Sequence, residues 1–224
     1  ILQRVAAPAT SDYFRALHQA HGVTIREGTG VERITGTDRA TGVQLADGTH
    51  LPADLVLVGV GITPNTGLAE AAGLTIDNGI WTDAQARTSD PHVWAAGDCA
   101  SLIFNGQRIR LESVGNAIDQ AETAALSILG REVTYQPAPW FWSDQYDCHL
   151  QIAGLNNGYD AVHVRKSGDA VSHWYYAGDR LIAVDAMSDT RAYMVGKRLI
   201  EAGKSPAPEV ATDPATDLKA LLKA

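Results

Sequence analysis

Hydrophobic and polar positions along the first 51 residues follow a helical spacing and then a strand spacing. Apolar side chains recur at helical intervals over residues 8–21, with Thr10 or Ser11 as the expected N-cap and Gly22 as the C-cap. Short apolar runs then predict strands over 23–26, 28–35, 42–46 and 49–51. Asp47-Gly48 separates the last two strands and is a strong hairpin signal. The pattern therefore predicts one helix followed by small antiparallel strands.

A continuous apolar run follows over residues 55–61 and ends in the sequence GVGITPN at 59–65. Apolar residues on both faces are typical of a strand in a parallel sheet that is covered on both sides. The sequence TSDPHVWAAGD at 88–98 predicts a turn and then a short central strand over 93–96. Gly97 permits a sharp turn, and Asp98 then lies at the carboxyl end of the strand, where open α/β sheets bind ligands.

The segments around this motif read as short local elements. A helix is expected over 66–72, a hairpin turn at 77–79, and a loop over 101–110 with a turn at Asn105-Gly106. Ser113 is the expected N-cap of a long helix that Gly130 ends. The apolar stripe that should face the core of the protein comprises Val114, Ala117, Ile118, Ala121, Ala125 and Ile128.

The last third of the chain predicts an α+β domain with an antiparallel sheet. A linker over 131–139 leads to an aromatic sequence, WFWSDQY, at 140–146. Strands over 145–153, 159–165, 171–176 and 181–187 form a predicted meander, closed by a helix near 190–202. Residues 205–214 should be extended because they are rich in proline, and residues 217–223 should form a frayed helix.

Composition excludes several classes of protein. A net charge of −8 argues against nucleic-acid binding, and the chain has no run of 18 apolar residues, so we expect no membrane span. The chain begins at Ile1 without an initiator Met or a signal peptide pattern, and we interpret it as a piece of a longer, cytoplasmic protein. Cys99 and Cys148 form no C-x-x-C motif and are expected to be small buried side chains. His18 and His21 could form a metal pair, but no third ligand is near them in sequence, so ordinary surface or core histidines are favoured and no metal site is predicted.

Three of these motifs resemble one family. The sequence at 88–98 resembles the second FAD motif of flavoprotein reductases with two dinucleotide-binding domains, although alone it is also typical of a core strand that ends in a turn. The sequence at 59–65 is similar to the strand by which that family returns from its NAD domain to its FAD domain. The sequence at 140–146 closely resembles the segment after the FAD domain in oxygenase-coupled ferredoxin reductases, of the putidaredoxin reductase and biphenyl dioxygenase reductase type.

The resemblance implies an α/β fold and three parts. Residues 1–51 would end an NAD-binding domain, residues 52–130 would form the second half of an FAD-binding domain, and residues 131–224 would form a C-terminal α+β interface domain. No G-x-G-x-x-G loop occurs in the chain, and both such loops of the family lie in its N-terminal part. We therefore expect this chain alone to hold FAD poorly or not at all.

The resemblance also assigns roles to particular residues. Asp98 would accept hydrogen bonds from the ribityl chain of FAD, the backbone N–H of Val114 would lie under the flavin pyrimidine, and Glu112 would face the nicotinamide. Trp142 would cover the flavin, although four aromatic residues at a domain boundary also suit a packing plug. No protein general base is expected. The candidate cofactor-binding residues are Gly61, Gly97, Asp98, Glu112, Ser113, Val114 and Trp142.

The implied function is electron transfer from NAD(P)H, with NADH favoured, through FAD to a two-iron ferredoxin that serves an oxygenase. Two alternatives stay open: another flavoprotein reductase acting on a disulfide or a peroxide, and a binding module without catalysis. A local basic patch could meet an acidic ferredoxin, although each cation singly also suits a scattered solvated charge. The candidates for this patch are Arg108, Arg110, Arg131, Arg165 and Lys166.

Overall fold

The computed structural model describes residues 1–3 and 5–223. The chain forms two compact units, Ile1–Thr63 and Pro64–Ala224. Among the described residues, no helix has both the length and the apolar character that crossing a bilayer requires.

The first unit contains one helix and a three-stranded antiparallel sheet in the order β1-β2-β3. The elements are α1 (Pro8–Ala20), β1 (Val31–Thr35), β2 (Gly42–Leu45) and β3 (His50–Pro52). The predicted helix is confirmed, but the predicted N-cap is wrong. Pro8 starts the helix directly after Ala7, so Thr10 and Ser11 lie inside the first turns and are buried. The hairpin at Asp47-Gly48 is confirmed, with Gly48 at a φ of +85°.

Two predicted strands of this unit are not formed. Residues 23–26 and 55–61 lie outside every strand, and Leu55, Leu57 and Val60 are 80%, 91% and 89% exposed. A strand that is apolar on both faces is stable only between neighbouring strands and beneath covering layers. The described residues pair no strand with residues 55–61, so the apolar run stays extended without a sheet.

The second unit opens with short elements that lead to the Gly-Asp motif. Helix α2 (Gly67–Ala71) and the turn at Asn78-Gly79 agree with the sequence predictions. A small sheet in the order β4-β5-β6 follows. Its strands are β4 (Ile80–Trp81), β5 (Ala100–Phe104) and β6 (Gln107–Ile109).

Two predictions in this region are corrected. The loop expected over 101–110 is instead the β5–β6 hairpin, because Asn105 and Gly106 both adopt positive φ values of 49° and 76°, which match the twist of a two-residue hairpin turn. The central strand expected over 93–96 is reduced to one bridge, between Trp94 and Arg87. No ladder among the described residues extends this segment on either side, so it stays extended without becoming a strand.

Helix α3 (Val114–Ile128) begins at the predicted cap and buries the face opposite to the predicted one. Ser113 Oγ accepts a hydrogen bond of 3.2 Å from the Asn116 backbone N–H. The buried side of the helix is small and polar, whereas Val114 and Ile118 are each 54% exposed. The polar side is buried because its amide groups bind the backbone of neighbouring segments. The buried residues are Gly115, Asn116, Gln120 and Ala124.

The C-terminal part of the unit is an antiparallel sheet in the order β7-β8-β11-β10-β9. The strands are β7 (Trp140–Gln145), β8 (Cys148–Gly154), β9 (Ala161–Ser167), β10 (Ala170–Ala177) and β11 (Arg180–Met187). The predicted α+β class is confirmed, but the sheet is not a simple meander because β8 pairs with β11. Helix α4 (Thr190–Glu201) packs on one face, over a core that includes Trp174, Val184 and Leu199.

The end of the chain is more ordered than the sequence predicts. Residues 205–214 contain helix α5 (Pro208–Thr212), and Leu218–Leu222 forms a 3-10 turn. Leu218 and Leu221 are buried in the same core as α4, which explains why this segment is not frayed. Cys148 is buried as expected, Cys99 is half-buried, and the two do not form a disulfide.

Candidate functional site

The Gly-Asp motif forms a sharp turn against helix α3. Gly97 has a φ of +79°, which favours glycine, and its buried N–H donates a 2.9 Å hydrogen bond to Gln120 Oε1. A Cβ on Gly97 would lie 3.5 Å from the Ala117 Cβ, an ordinary contact, so the backbone angle rather than space selects glycine. Asp98 follows in a 3-10 turn and is exposed. The Asp98 carboxylate therefore lies at the surface, on a turn that the hydrogen bond between Gly97 and Gln120 holds in place.

Arg110 ties this turn to Glu112. Its Nη1 donates a 2.8 Å hydrogen bond to the backbone oxygen of Asp98, and its Nη2 lies 2.9 Å from Glu112 Oε1. The Arg110 side chain is only 8% exposed, so the ion pair is shielded from most of the solvent. The result is a fixed relation between the two acidic residues that the sequence singled out.

The start of helix α3 lies directly after Glu112. A helix start has N–H groups without intrahelical partners and a partial positive charge. Ser113 satisfies the N–H of Asn116, which lies in the first turn. Val114, at the first position of the helix, is 54% exposed. This end of the helix can therefore receive an electronegative group.

Asn116 connects the same helix to two other segments. Its Nδ2 donates to the Leu111 carbonyl at 3.0 Å, and its Oδ1 accepts from the Tyr135 hydroxyl at 2.7 Å. Burial, with a smaller contribution from Asp119, raises the pKa of Tyr135 to about 12, so the hydroxyl stays protonated and donates. These bonds hold Leu111, the residue before Glu112, and Tyr135 against the first turn of α3.

Two indoles complete the cluster. The rings of Trp140 and Trp142 are stacked, with centroids 5.3 Å apart and planes 22° apart. A Cβ on Gly115 would lie 2.3 Å from Trp140 Nε1, so Trp140 lies against the backbone of the first turn of α3. Trp142 is the outer ring of the pair and is 44% exposed. The stack therefore presents an aromatic surface beside the helix start.

Most of the predicted site residues come together in the second unit. Arg110 connects the turn of Gly97 and Asp98 to Glu112, and Ser113 and Val114 follow Glu112 directly in the chain. Trp140 lies against the first turn of the helix and stacks on Trp142. Gly61 lies in the first unit, in the exposed extended segment, with a φ of +92°. A cavity of about 550 Å³ in the second unit is lined by other residues, among them Pro139, Arg180 and Lys197.

Sequence reasoning missed three contacts of this cluster: Arg110 with Glu112, Gln120 with the Gly97 N–H, and Trp140 with Gly115. Arg110 and Glu112 are two positions apart, so in an extended segment their side chains lie on one face, and this spacing could have signalled an ion pair. Asn116 and Gln120 are four positions apart and form a polar stripe on a helix, which could have indicated buried amides.

The predicted basic patch is contradicted for three of its five members. Arg110 is bound to Asp98 and Glu112. Arg108 donates to the Ser101 carbonyl at 2.7 Å and lies over the Trp81 ring. Arg165 is 6% exposed, and its guanidinium donates to backbone carbonyls near the C-terminus. Arginine side chains satisfied internally contribute little to a docking surface, which leaves Arg131 and Lys166 exposed.

Comparison with known proteins gives this arrangement its class. Residues 1–121 match the family model described as pyridine nucleotide-disulphide oxidoreductase, and residues 140–222 match the model described as reductase C-terminal. The fold is therefore that of a pyridine nucleotide-disulphide oxidoreductase segment followed by a reductase C-terminal domain. Because the first match covers more than half of the chain, the chain belongs to the pyridine nucleotide-disulphide oxidoreductase family.

Individual relatives agree with this assignment and with the resemblance seen in the sequence. Putidaredoxin reductase from Pseudomonas putida is 41% identical over 232 residues, covering 100% of this chain and 55% of that protein. The ferredoxin reductase for the CYP199A2 system from Rhodopseudomonas palustris has a TM-score of 0.94 at 41% identity, covering 98% of this chain and 56% of that one. A covalent putidaredoxin reductase–putidaredoxin complex gives a TM-score of 0.93 at 40% identity, covering 100% and 55%. The chain spans about half the length of the curated relatives it matches.

Proposed function

We propose that this chain is part of an FAD-dependent NAD(P)H–ferredoxin reductase that passes electrons to a two-iron ferredoxin serving an oxygenase. The observation that carries the proposal is the meeting of an exposed acidic turn, an open helix start and a stacked indole pair at one place. Relatives named as reductases for putidaredoxin and for ferredoxins support the same function. NADH is the favoured donor.

The cluster fits an FAD cofactor in its charge and shape. Exposed Asp98 suits a ligand rich in hydroxyl groups, because a carboxylate accepts hydrogen bonds worth about 1.5–3 kcal/mol each. The uncapped first N–H groups of α3 suit an electronegative ring edge, and an aromatic face suits a planar ring. FAD, when bound, supplies the chemistry, since it takes up a hydride from a nicotinamide and releases single electrons.

In this proposal, the residues of this chain bind the cofactor, orient the nicotinamide and shield the flavin ring from water. Gly97 and Asp98 would hold the ribityl chain, and Ser113 caps the helix start, where the Val114 N–H would bind the flavin ring. Glu112 would orient the nicotinamide carboxamide, and Trp142 would keep water from the ring. No side chain acts as a general base, because hydride transfer to a flavin requires none from the protein.

The proposal extends to the domains, the partner and the location. Residues 1–51 would close an NAD-binding domain, residues 52–130 would form half of an FAD-binding domain, and residues 131–224 would contribute to the ferredoxin interface. The solved complex of a related reductase with putidaredoxin supports a small iron–sulfur partner. A cytoplasmic location is proposed because Cys99 and Cys148 do not form a disulfide, as is usual for proteins in reducing compartments.

The test is the visible spectrum of the protein at the full length that its gene encodes, before and after anaerobic NADH. We expect flavin bands that NADH bleaches and that a two-iron ferredoxin restores. Asp98→Asn should weaken FAD retention, whereas Asp77→Asn, which alters a carboxylate that pairs with Arg108 at 3.4 Å, should retain FAD. A colourless protein in the presence of FAD would favour the binding-module alternative. Turnover of a dithiol or peroxide substrate without ferredoxin reduction would assign another flavoprotein reductase.

A further inference from the structure

Three separate segments of the second unit meet on the guanidinium of Arg110. Its Nη1 donates to the Asp98 carbonyl at 2.8 Å, its Nη2 pairs with Glu112 Oε1 at 2.9 Å, and its Nε lies 3.4 Å from Asn78 Oδ1. The segments are the turn at Asn78-Gly79, the Gly97–Cys99 turn and the residues before α3. Each of the three guanidinium nitrogens therefore contacts a different segment.

The turn at Asn78-Gly79 leaves room for the stem of this arginine. A Cβ on Gly79 would lie 2.7 Å from Arg110 Cδ and 2.6 Å from the Cys99 carbonyl oxygen. Gly79 also has a φ of +121°, which disfavours any other residue. The glycine therefore lets the arginine stem pass close to the backbone, which keeps the side chain 8% exposed and well fixed.

Only an arginine side chain can make these three contacts in one plane. A guanidinium offers donors in one plane at fixed angles, whereas a lysine ammonium is a compact charge on a flexible stem. The three acceptors of Arg110 are a carbonyl, a carboxylate and an amide oxygen on separate segments. An ammonium can neutralise Glu112, but it cannot reach all three acceptors in this planar arrangement.

We propose that Arg110 is a positioning residue that sets the distance between the Asp98 turn and the Glu112 carboxylate. The inference rests on the proposed function, in which Asp98 holds FAD and Glu112 orients the nicotinamide. Arg110 touches neither ligand in this account. It fixes the register between the two binding groups, so its loss shifts the nicotinamide relative to the flavin while both can still bind.

The test compares Arg110→Met with Arg108→Met in the full-length protein. Arg108 is a matched control, because it is also an internal arginine, with a 15% exposed side chain, but it contacts Asp77, Ser101 and Trp81 instead of the cofactor-facing groups. At saturating FAD and NADH, we expect Arg110→Met to slow flavin bleaching in stopped flow by about 10- to 100-fold, the scale expected from a displacement of about 1 Å. Arg108→Met should bleach at the wild-type rate.

A second comparison separates positioning from general structural damage. If Arg110 acts through Glu112, then Arg110→Met should slow bleaching much less in a Glu112→Gln background than in the wild type. Arg110→Lys should keep the thermal unfolding midpoint near that of the wild type and restore only part of the rate. Equal bleaching rates in the wild type and Arg110→Lys, or in Arg110→Met and Arg108→Met, would overturn the inference.

The failure of this inference can be told from the failure of the proposed function. A wild-type protein that neither retains FAD nor bleaches with NADH removes the proposed function. A wild-type protein that bleaches normally, with Arg110 variants that do the same, leaves the function standing and removes the role of Arg110. If Arg110→Met does not fold, the Arg110→Lys rate decides.

Discussion

Gln120 reaches from the buried face of helix α3 to the backbone of Gly97 and accepts its N–H through Oε1 at 2.9 Å. Gln120 is 1% exposed, and Gly97 is also buried. One buried hydrogen bond therefore joins the turn that carries Asp98 to the helix whose start lies beside Glu112.

Gln120→Met should destabilise the protein by about 1–3 kcal/mol, because it keeps the side-chain volume but leaves the Gly97 N–H buried without an acceptor. The free energy of unfolding in urea measures this loss. Gln107→Met is the control, since Gln107 is exposed on β6, and it should change stability little. Equal losses of unfolding free energy in Gln120→Met and Gln107→Met would show that the hydrogen bond to Gly97 does not contribute to stability.

Arg165→Met should release the end of the chain from the C-terminal sheet. The guanidinium donates to the carbonyls of Ala211, Asp213, Pro214 and Thr216, and bonds from a charged donor contribute about 1.5–3 kcal/mol each. We expect amide hydrogen exchange over 208–222 to rise sharply while exchange in β7 and β8 stays slow. Lys166→Met changes the next, exposed residue of β9 and should leave exchange unaltered; a similar rise there would contradict the role of Arg165.

His173 makes stability depend on pH. Burial, with a smaller contribution from Lys166, lowers the pKa of His173 from 6.5 to about 4. Between these values the unfolded chain takes up a proton that the folded chain does not, so stability is full above pH 6.5 and falls as the pH drops toward 4. The loss reaches about 3 kcal/mol.

Urea unfolding between pH 4 and pH 7 measures this effect. His173→Asn should be less stable at pH 7 and should have a flatter pH profile than the wild type. His149→Asn serves as the control, because the His149 side chain is 68% exposed, and its profile should follow the wild type. A His173→Asn profile as steep as that of the wild type would rule out His173 as the source.

Gly115→Ala should separate helix α3 from the indole stack. The new methyl group would lie 2.3 Å from Trp140 Nε1, and overpacking of this kind costs about 1–3 kcal/mol. We expect a lower unfolding midpoint and a shift in tryptophan fluorescence. Gly67→Ala in helix α2 has open space around the new Cβ and should be neutral or slightly stabilising. An unshifted spectrum for Gly115→Ala would show that Trp140 does not lie against this turn.

Local chemistry predicted the parts of the fold that depend on few neighbours. The Ser113 cap, the Asp47-Gly48 hairpin and the turn at Asn105-Gly106 were all identified correctly, because turn and cap residues act on their own backbone. Apart from the N-cap of α1, the main errors concern segments whose state depends on distant partners. The apolar residues at 55–61 indicate that this segment is suited to burial, whereas it becomes a strand only where a neighbouring strand pairs with it.

The residues of the candidate site show the same difference between local and distant determinants. Asp98, Ser113 and Val114 could be selected from motifs that are continuous in sequence. Arg110 and Gln120 could be selected only in part. Their spacing to Glu112 and Asn116 indicates an ion pair and a polar stripe, whereas the Asp98 carbonyl and the Gly97 N–H that they bind belong to a turn distant in sequence. Helix α3 illustrates the limit most clearly, since its polar side is buried and its apolar side is exposed, and hydrophobic spacing alone gives the opposite orientation.

The strand order of the C-terminal sheet also sets an order of events during folding. Short turns join β9, β10 and β11, so these strands close only small loops, whereas β9 and β10 separate β8 from β11 along the chain. Small loops close at the lowest entropic cost, and contacts between distant residues form more slowly. We therefore expect the β9–β11 ribbon to assemble first and the β7–β8 hairpin to dock last. The two tryptophans of β7 would then reach the start of helix α3 only in the final step. The stacked indoles of the site would therefore form after the β9–β11 ribbon.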